Sequence, residues 1–330
     1  MIRTYAPLLD TSSQTQGNSQ PASWRLTERY LFRFSFCYIV LYYTPTLLEL
    51  VPGVQLLTAW AYRSWKHLLY SMAGGASPAQ PTGSGDTLAA YISQAVVLIL
   101  ALVAGLAWSL LDRHRTSYIR LHGWLKVLAR YTLAFTLLSY AFLKILPIQF
   151  PYLQTSLLIT SYGQSSPMGL LWRFMGFSPA YTAFAGFSEL LPAIFLFFRR
   201  TALLGSLLAF VVMLNVVMLN FCYDVPVKLY SLNLLALTVF LIAPEARRLS
   251  RIFLLNAPTQ PSDPCEPIFQ RHATARAALM VKFIVLTAAL GWSIFSSIPL
   301  YSRSRAITSQ PAYPLTTRGF HWIQEYPYNR

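Results

Sequence analysis

The chain has 330 residues, 55% hydrophobic side chains and only 11% charged ones, with a mean hydropathy of +0.44. That is too little charge to coat a soluble globule of this size, and it places the chain in a lipid bilayer. The formal charge of +15 does not signal nucleic acid, because Lys and Arg are scattered between apolar runs and form no contiguous face. In a polytopic protein such a balance reflects basic loops beside anionic headgroups.

Residues 1–24 are polar and rich in Ser and Gln, with neither the apolar core nor the cleavage site of a signal peptide, and read as a disordered cytoplasmic tail. A helix needs about 20 mostly apolar residues to cross the hydrocarbon core. Seven stretches meet this in chain order: 29–50, 88–111, 125–146, 178–198, 201–223, 225–243 and 283–301. The expected fold is therefore all-α, a polytopic transmembrane helical bundle of about seven spans. Region 25–123 holds the first two spans. Between them "GVQLLTAWAYRSWKHLL" has the pattern of an interfacial helix, followed by the linker "GGASPAQPTGSGD". Region 124–248 holds four spans and an outer segment interrupted by Pro151 and Pro167. Region 249–282 reads as a cytoplasmic linker, 283–301 as the last span and 302–330 as an outer, aromatic-rich tail.

With the amino terminus inside, 17 of the 26 Lys and Arg fall on the cytoplasmic tail, loops and helix ends. This positive-inside bias puts the amino terminus in the cytoplasm and the carboxyl terminus outside, in the plasma (inner) membrane.

Ionisable residues within spans are costly and mark sites when they face the protein interior. Glu189 stands about 13 Å from either end of its span, at about 1.5 Å per residue, too deep for its side chain to reach water. Two states are open to it: protonated, or ionised beside Lys144, Lys228 or an internal water. Small neighbours Ala185, Gly186 and Ala193 let another helix approach its face. Lys144 lies near the outer end of the third span, while Asn215 and Asn220 approach the same level on the fifth. Asp224 and Lys228 flank the outer start of the sixth in "CYDVPVK". Each has a plainer alternative. Lys144 can snorkel, and the asparagines can join helices by hydrogen bonds. Asp224 ahead of Pro226 is good material for a helix start. Lys228 opposes the helix dipole and calls for a partner, either Asp224 one turn back or Glu189 across the bundle. Arg130 reads as snorkelling inward. The candidate ligand-binding set is Lys144, Glu189, Asn220, Asp224 and Lys228, with Glu189 the candidate proton-handling group.

Cys37, Cys222 and Cys265 are too few and too far apart for a disulfide framework, and no zinc-ligand spacing occurs. The five histidines fall in loops or tails, so none pairs at membrane depth to ligate haem. No nucleotide-binding or hydrolase motif occurs.

The segment 124–248 resembles the DoxX-like superfamily of small four-helix membrane proteins. "RYTLAFTLLSYAFLKIL" is similar to its first helix, and "AGFSELLPAIFLFFRRTALLGSLLAF" to its second and third. "GSGDTL", "SPMGLLWRFMGFSPAYTAFAG", "LNFCYDVPVKLYS" and "GFHWIQEYPYNR" are similar to long bacterial membrane proteins labelled DoxX family. The resemblance implies a DoxX-like four-helix core and a membrane component of redox chemistry, with Lys144 and Glu189 as the superfamily's polar pair and a quinone or quinol as ligand. It also implies a periplasmic or membrane redox partner besides the lipid bilayer. Two other functions fit the same charges: a scaffold or assembly partner for a periplasmic protein, and a small-solute transporter, although no internal repeat is present.

Overall fold

The computed structural model describes residues 24–49, 85–150 and 160–260, with a few isolated positions beyond them. The two expected tails, the interfacial helix between the first two spans and the last span, 283–301, lie outside the described residues.

The described residues are helical, without a strand among them. Eight α-helices follow one another: α1 Leu26–Glu49, α2 Leu88–Leu111, α3 Ile119–Ile145, α4 Pro167–Phe177, α5 Pro179–Phe197, α6 Ala202–Cys222, α7 Lys228–Ile242 and α8 Ala246–Phe253. Local chemistry explains several starts. The Thr87 hydroxyl accepts from Ala90 N at 3.2 Å and opens α2. Ser166 and Ser178 cap α4 and α5 in the same way, each followed by a proline whose missing N–H costs nothing in the first turn.

Among the described residues, four helical runs are long and apolar enough to cross a membrane: α2, α5, α6 and the continuous stretch Lys228–Phe253. Their lipid-ready faces are plain on α2, where Ile99, Val103, Leu106 and Leu110 are all more than half exposed. A bilayer is thus the environment of the fold. The expected first and third spans do form helices, α1 and α3, but their charges set them apart from the four. Glu28, Arg29 and Arg33 lie in α1, and Arg120, Lys126, Arg130 and Lys144 in α3.

Helix α3 packs along α5, α5 along α6, α6 along α7, and α7 returns to α3, closing a four-helix ring. Helices α1 and α2 form a pair beside it. The ring is filled by Leu133, Leu137 and Leu138 of α3, Leu196 and Phe197 of α5 and Leu237 of α7, none more than 2% exposed. Gly186 permits the tight α3–α5 contact, since a Cβ there would stand 2.8 Å from Ala141 O and 2.7 Å from Ile145 Cγ1.

Three expectations need correction. His122 does not fall in a loop; it lies in the first turns of α3, its ring packed against Trp24, Phe32 and Phe240. The sixth span starts at Lys228 and not at 225, because Asp224 has a left-handed φ of 50° and the following residues form a turn before the helix opens. Arg130 does not snorkel into solvent; it is 4% exposed, its guanidinium 5.3 Å from the Tyr131 ring centroid.

Candidate functional site

The α3–α5 contact that Gly186 permits brings Lys144 and Glu189 together. Lys144 Nζ donates to both carboxylate oxygens, at 2.9 and 2.8 Å, and the two side chains are only 10% and 4% exposed. The register explains the meeting: Glu189 lies one turn beyond Gly186, and Lys144 one turn beyond Ala141, on the faces that touch. The ammonium also sits 5.4 Å from the Tyr140 ring centroid, a cation–π geometry.

This pair borders a cavity of about 130 Å³ lined by all four ring helices. Helix α3 supplies Leu137, Tyr140 and Lys144; α5 supplies Ala185, Ser188 and Glu189; α6 supplies Asn215, Leu219 and Asn220; α7 supplies Tyr230, Ser231 and Leu234. Helix α4 closes one end with Leu171, Trp172 and Met175, joined to Phe150 and Val225 in a small apolar cluster of their own. The Thr182 hydroxyl ties α5 to this cap by donating to Met175 O at 2.5 Å.

Two cavity-lining residues carry buried polar atoms with no hydrogen-bond partner among the described residues, the Asn220 amide nitrogen and the Gln149 amide oxygen. Buried polar groups are nearly always satisfied, because leaving one bare costs about 1–3 kcal/mol. Among the described residues, one donor and one acceptor are therefore left without partners on side chains that line the cavity beside the ion pair.

Lys144, Glu189 and Asn220 share this cavity, and Asn215 joins them. Asp224 and Lys228 do not line it. Lys228 Nζ binds Asp224 at 2.5 Å and lies 4.0 Å from Asp86. Asp224 itself does not start α7. That role belongs to Asp86, distant in sequence, whose carboxylate accepts from Lys228 N at 2.7 Å and Leu229 N at 3.2 Å. Next to it, Gly85 N donates to Pro226 O at 2.8 Å, and a Cβ at Gly85 would stand 3.0 Å from that oxygen. The tripeptide Gly85-Asp86-Thr87 thus docks on the α6–α7 turn while starting two helices. Its carboxylate also accounts for Lys228, which stands between two acids.

Gln149, Tyr140, Tyr230, Asp86 and the α1–α2–α7 connection were not legible as site features. In that connection the Tyr38 hydroxyl donates to Asn233 Oδ1, Gln94 Nε2 donates to Tyr38 at 2.6 Å, and Asn233 Nδ2 donates to Gln94 Oε1 at 3.0 Å. A lone glutamine in the apolar run of α2 was the available signal.

At the opposite end of the bundle, the buried Arg33 of α1 donates from Nε to the Tyr118 hydroxyl at 3.0 Å and from Nη2 to Asp112 O at 2.7 Å. The Tyr118 hydroxyl donates to Asp112 Oδ2 at 2.7 Å. That hydrogen bond holds the Asp112 carboxyl below its ordinary value, while burial pushes the Tyr118 phenol up. This cluster joins α1 to the α2–α3 loop.

Among the described residues no group of three His, Cys, Asp or Glu side chains gathers as a metal site. No family model matches the chain, and no solved structure matches it. It is 34% identical over 84 residues to the uncharacterized protein YwoB of Bacillus subtilis (strain 168), a stretch covering 26% of this chain and 54% of that relative. The chain thus spans about half the length of the curated relative it matches. The fold and site define a helical membrane protein with a buried ion pair beside a cavity in its four-helix ring.

Proposed function

We propose that this chain is a multi-pass protein of the plasma (inner) membrane whose DoxX-like four-helix core holds a single-ring ligand of the quinone or quinol class. Its role is that of a redox-linked membrane component or accessory subunit, working with a periplasmic or membrane redox partner. Seven spans, a cytoplasmic amino terminus and an outer carboxyl terminus belong to the same proposal, which places the cavity in the outer half of the bilayer.

The observation that carries it is the Lys144–Glu189 pair beside the unpartnered Asn220 and Gln149 atoms. Replacing a buried ion pair by apolar residues is often neutral or stabilising, so stability alone does not account for these charges. The volume suits one ring: an apolar cavity of about 150 Å³ holds benzene, against about 130 Å³ here. Lys144 and Asn220 are donors for a ring carbonyl, and Glu189 and Gln149 are acceptors for a ring hydroxyl. One set of groups therefore suits both the oxidised and the reduced ligand. The quinone class itself rests on the DoxX-like resemblance together with this donor and acceptor set.

The test is organic extraction of the purified protein together with a quinol-dependent absorbance change. Both should be present in the wild type and lost in Lys144→Ala. One observation favours the scaffold reading instead, namely that Lys144 saturates both oxygens of Glu189 and leaves the pair closed on itself. Pull-down of a stoichiometric protein partner with no small molecule bound would select that reading.

A further inference from the structure

We infer that α8 and the arginine-rich end of the bundle form a docking surface for anionic phospholipid headgroups, with α8 lying in the headgroup layer instead of continuing the span before it. This surface lies at the end of the ring away from the Lys144–Glu189 pair. The run Lys228–Phe253 is continuous, but its character changes within it. After Lys228, α7 carries no charged residue, whereas α8 holds three arginines in eight residues. A single 3-10 turn, Ala243–Glu245, with Pro244 in it, separates the two. Length fixes where that boundary falls. From the polar start at Lys228, the 15 residues of α7 cover about 22 Å at about 1.5 Å per residue, and the turn adds about 6 Å, which together match a hydrocarbon core about 30 Å thick. The hydrocarbon therefore ends where the arginines begin.

The residues of α8 divide by face. At about 3.6 residues per turn, Arg247, Arg248, Ser250 and Arg251 share one side, and Ala246, Leu249, Ile252 and Phe253 the other. Arg247 and Arg251 are exposed, and so is Phe253, at 72%, with exposed Leu254 and Leu255 after it. Exposed arginines beside exposed apolar side chains are the pattern of a helix that lies in a membrane interface.

Neighbouring helices add charge at the same level. Antiparallel packing brings the start of α3 beside the ends of α5 and α7: Phe197, the last residue of α5, meets Tyr131 in the first half of α3, and His122 near its start meets Phe240 near the end of α7. Exposed Arg115 of the α2–α3 loop, Arg120 of α3 and Arg200 of the α5–α6 turn thus join Arg247 and Arg251. The described acids at this end are Glu28, Asp112 and Glu245, and each is engaged within the protein: Glu28 accepts from Arg25 N at 2.9 Å, Asp112 from the Tyr118 hydroxyl at 2.7 Å and Glu245 from Arg248 Nη1 at 3.2 Å. At the opposite end, by contrast, Lys228 stands between Asp86 and Asp224. A cationic rim attracts anionic headgroups, and the apolar face beside it enters the boundary of the acyl chains. A nucleic acid or an acidic polypeptide supplies the negative charge without the apolar layer that Phe253, Leu254 and Leu255 require.

The experiment uses the full chain in nanodiscs of phosphatidylcholine, with and without about one-third phosphatidylglycerol, and reads amide hydrogen exchange of 246–255 by mass spectrometry. We expect exchange to slow about fivefold or more when phosphatidylglycerol is present, since one arginine near an anionic surface is worth about that factor. Arg247→Gln/Arg251→Gln, which spares the Arg248–Glu245 pair, should abolish the difference between the lipids while the melting temperature in detergent stays unchanged. Equal exchange of the wild type in the two lipids would overturn the docking surface, whether slow in both, as in a continued span, or fast in both, as in a helix in water. A lipid difference retained in the double variant would overturn it as well. Slowing by polyglutamate in neutral nanodiscs, with none from phosphatidylglycerol, would give the face to an acidic protein partner and overturn the lipid assignment.

Discussion

Removing one or both charges of the Lys144–Glu189 pair separates a binding device from a structural one. In Lys144→Met the Glu189 carboxylate keeps its buried position but loses the only cation that touches it among the described residues, the one bound to both of its oxygens. Breaking a buried pair in this way costs about 3–5 kcal/mol. At about 2 °C per kcal/mol for a chain of this size, the melting temperature falls by about 6–10 °C. Lys144→Met/Glu189→Leu removes both charges and both desolvation costs, so stability returns to within about 1 kcal/mol of wild type or exceeds it. Thermal melting in detergent, followed by tryptophan fluorescence, reads all three proteins on one scale, and ligand retention is measured in parallel. The expected pattern is a destabilised single variant and a stable double variant that holds no ligand. A double variant as unstable as the single one would refute the reasoning, because the pair would then be structural glue.

Other outcomes follow from particular contacts. Gly186→Val should cost about 1–3 kcal/mol by forcing α3 away from α5, and should weaken ligand retention by parting Lys144 from Glu189; unchanged melting would show that the 2.8 Å approach to Ala141 O is not needed. Asp86→Ala should cost about 1 kcal/mol as a lost helix cap, whereas Asp224→Ala, at an exposed carboxylate, should stay within about 0.5 kcal/mol. The reverse order in a melting series would contradict the assignment of the cap. The Asp112 carboxyl is held below its ordinary value of 3.8 by the Tyr118 hydroxyl, so its contribution is present above that value and is lost as pH falls through the lower folded one. Tyr118→Phe should flatten the loss of melting temperature below about pH 4, the range set by the ordinary carboxylate value, and an unchanged slope would assign that loss to other carboxylates.

Much of the helix order was readable because apolar runs and prolines act locally. Ser178 with Pro179 marks the start of α5 in the sequence as clearly as in space. Glu189 stood out for the same reason, its depth being a matter of counting along one helix. The partner was a different matter: Lys144, Lys228 and water were equally open until the Gly186 contact set the register of α3 against α5. Lys228 was legible in part: Asp224 one turn back was readable as its partner, while its second acid, Asp86, was not. The Asp86 cap depends on a contact across more than a hundred residues, inside a stretch whose composition reads as linker. Tyr38, Gln94 and Asn233 are ordinary residues singly, and only their hydrogen-bonded closure gives them a role. The span count was harder still, since buried charges on α1 and α3 lower the hydropathy of helices that shield those charges by packing.

Native mass spectrometry of the gently solubilised protein bears most directly on the claim that the four-helix core is a ligand site. The expected spectrum shows one small molecule of the quinone or quinol class per chain, absent from the folded Lys144→Met/Glu189→Leu protein. A wild-type spectrum with no small molecule and a stoichiometric protein partner, or a bound molecule retained equally by the double variant, would contradict it.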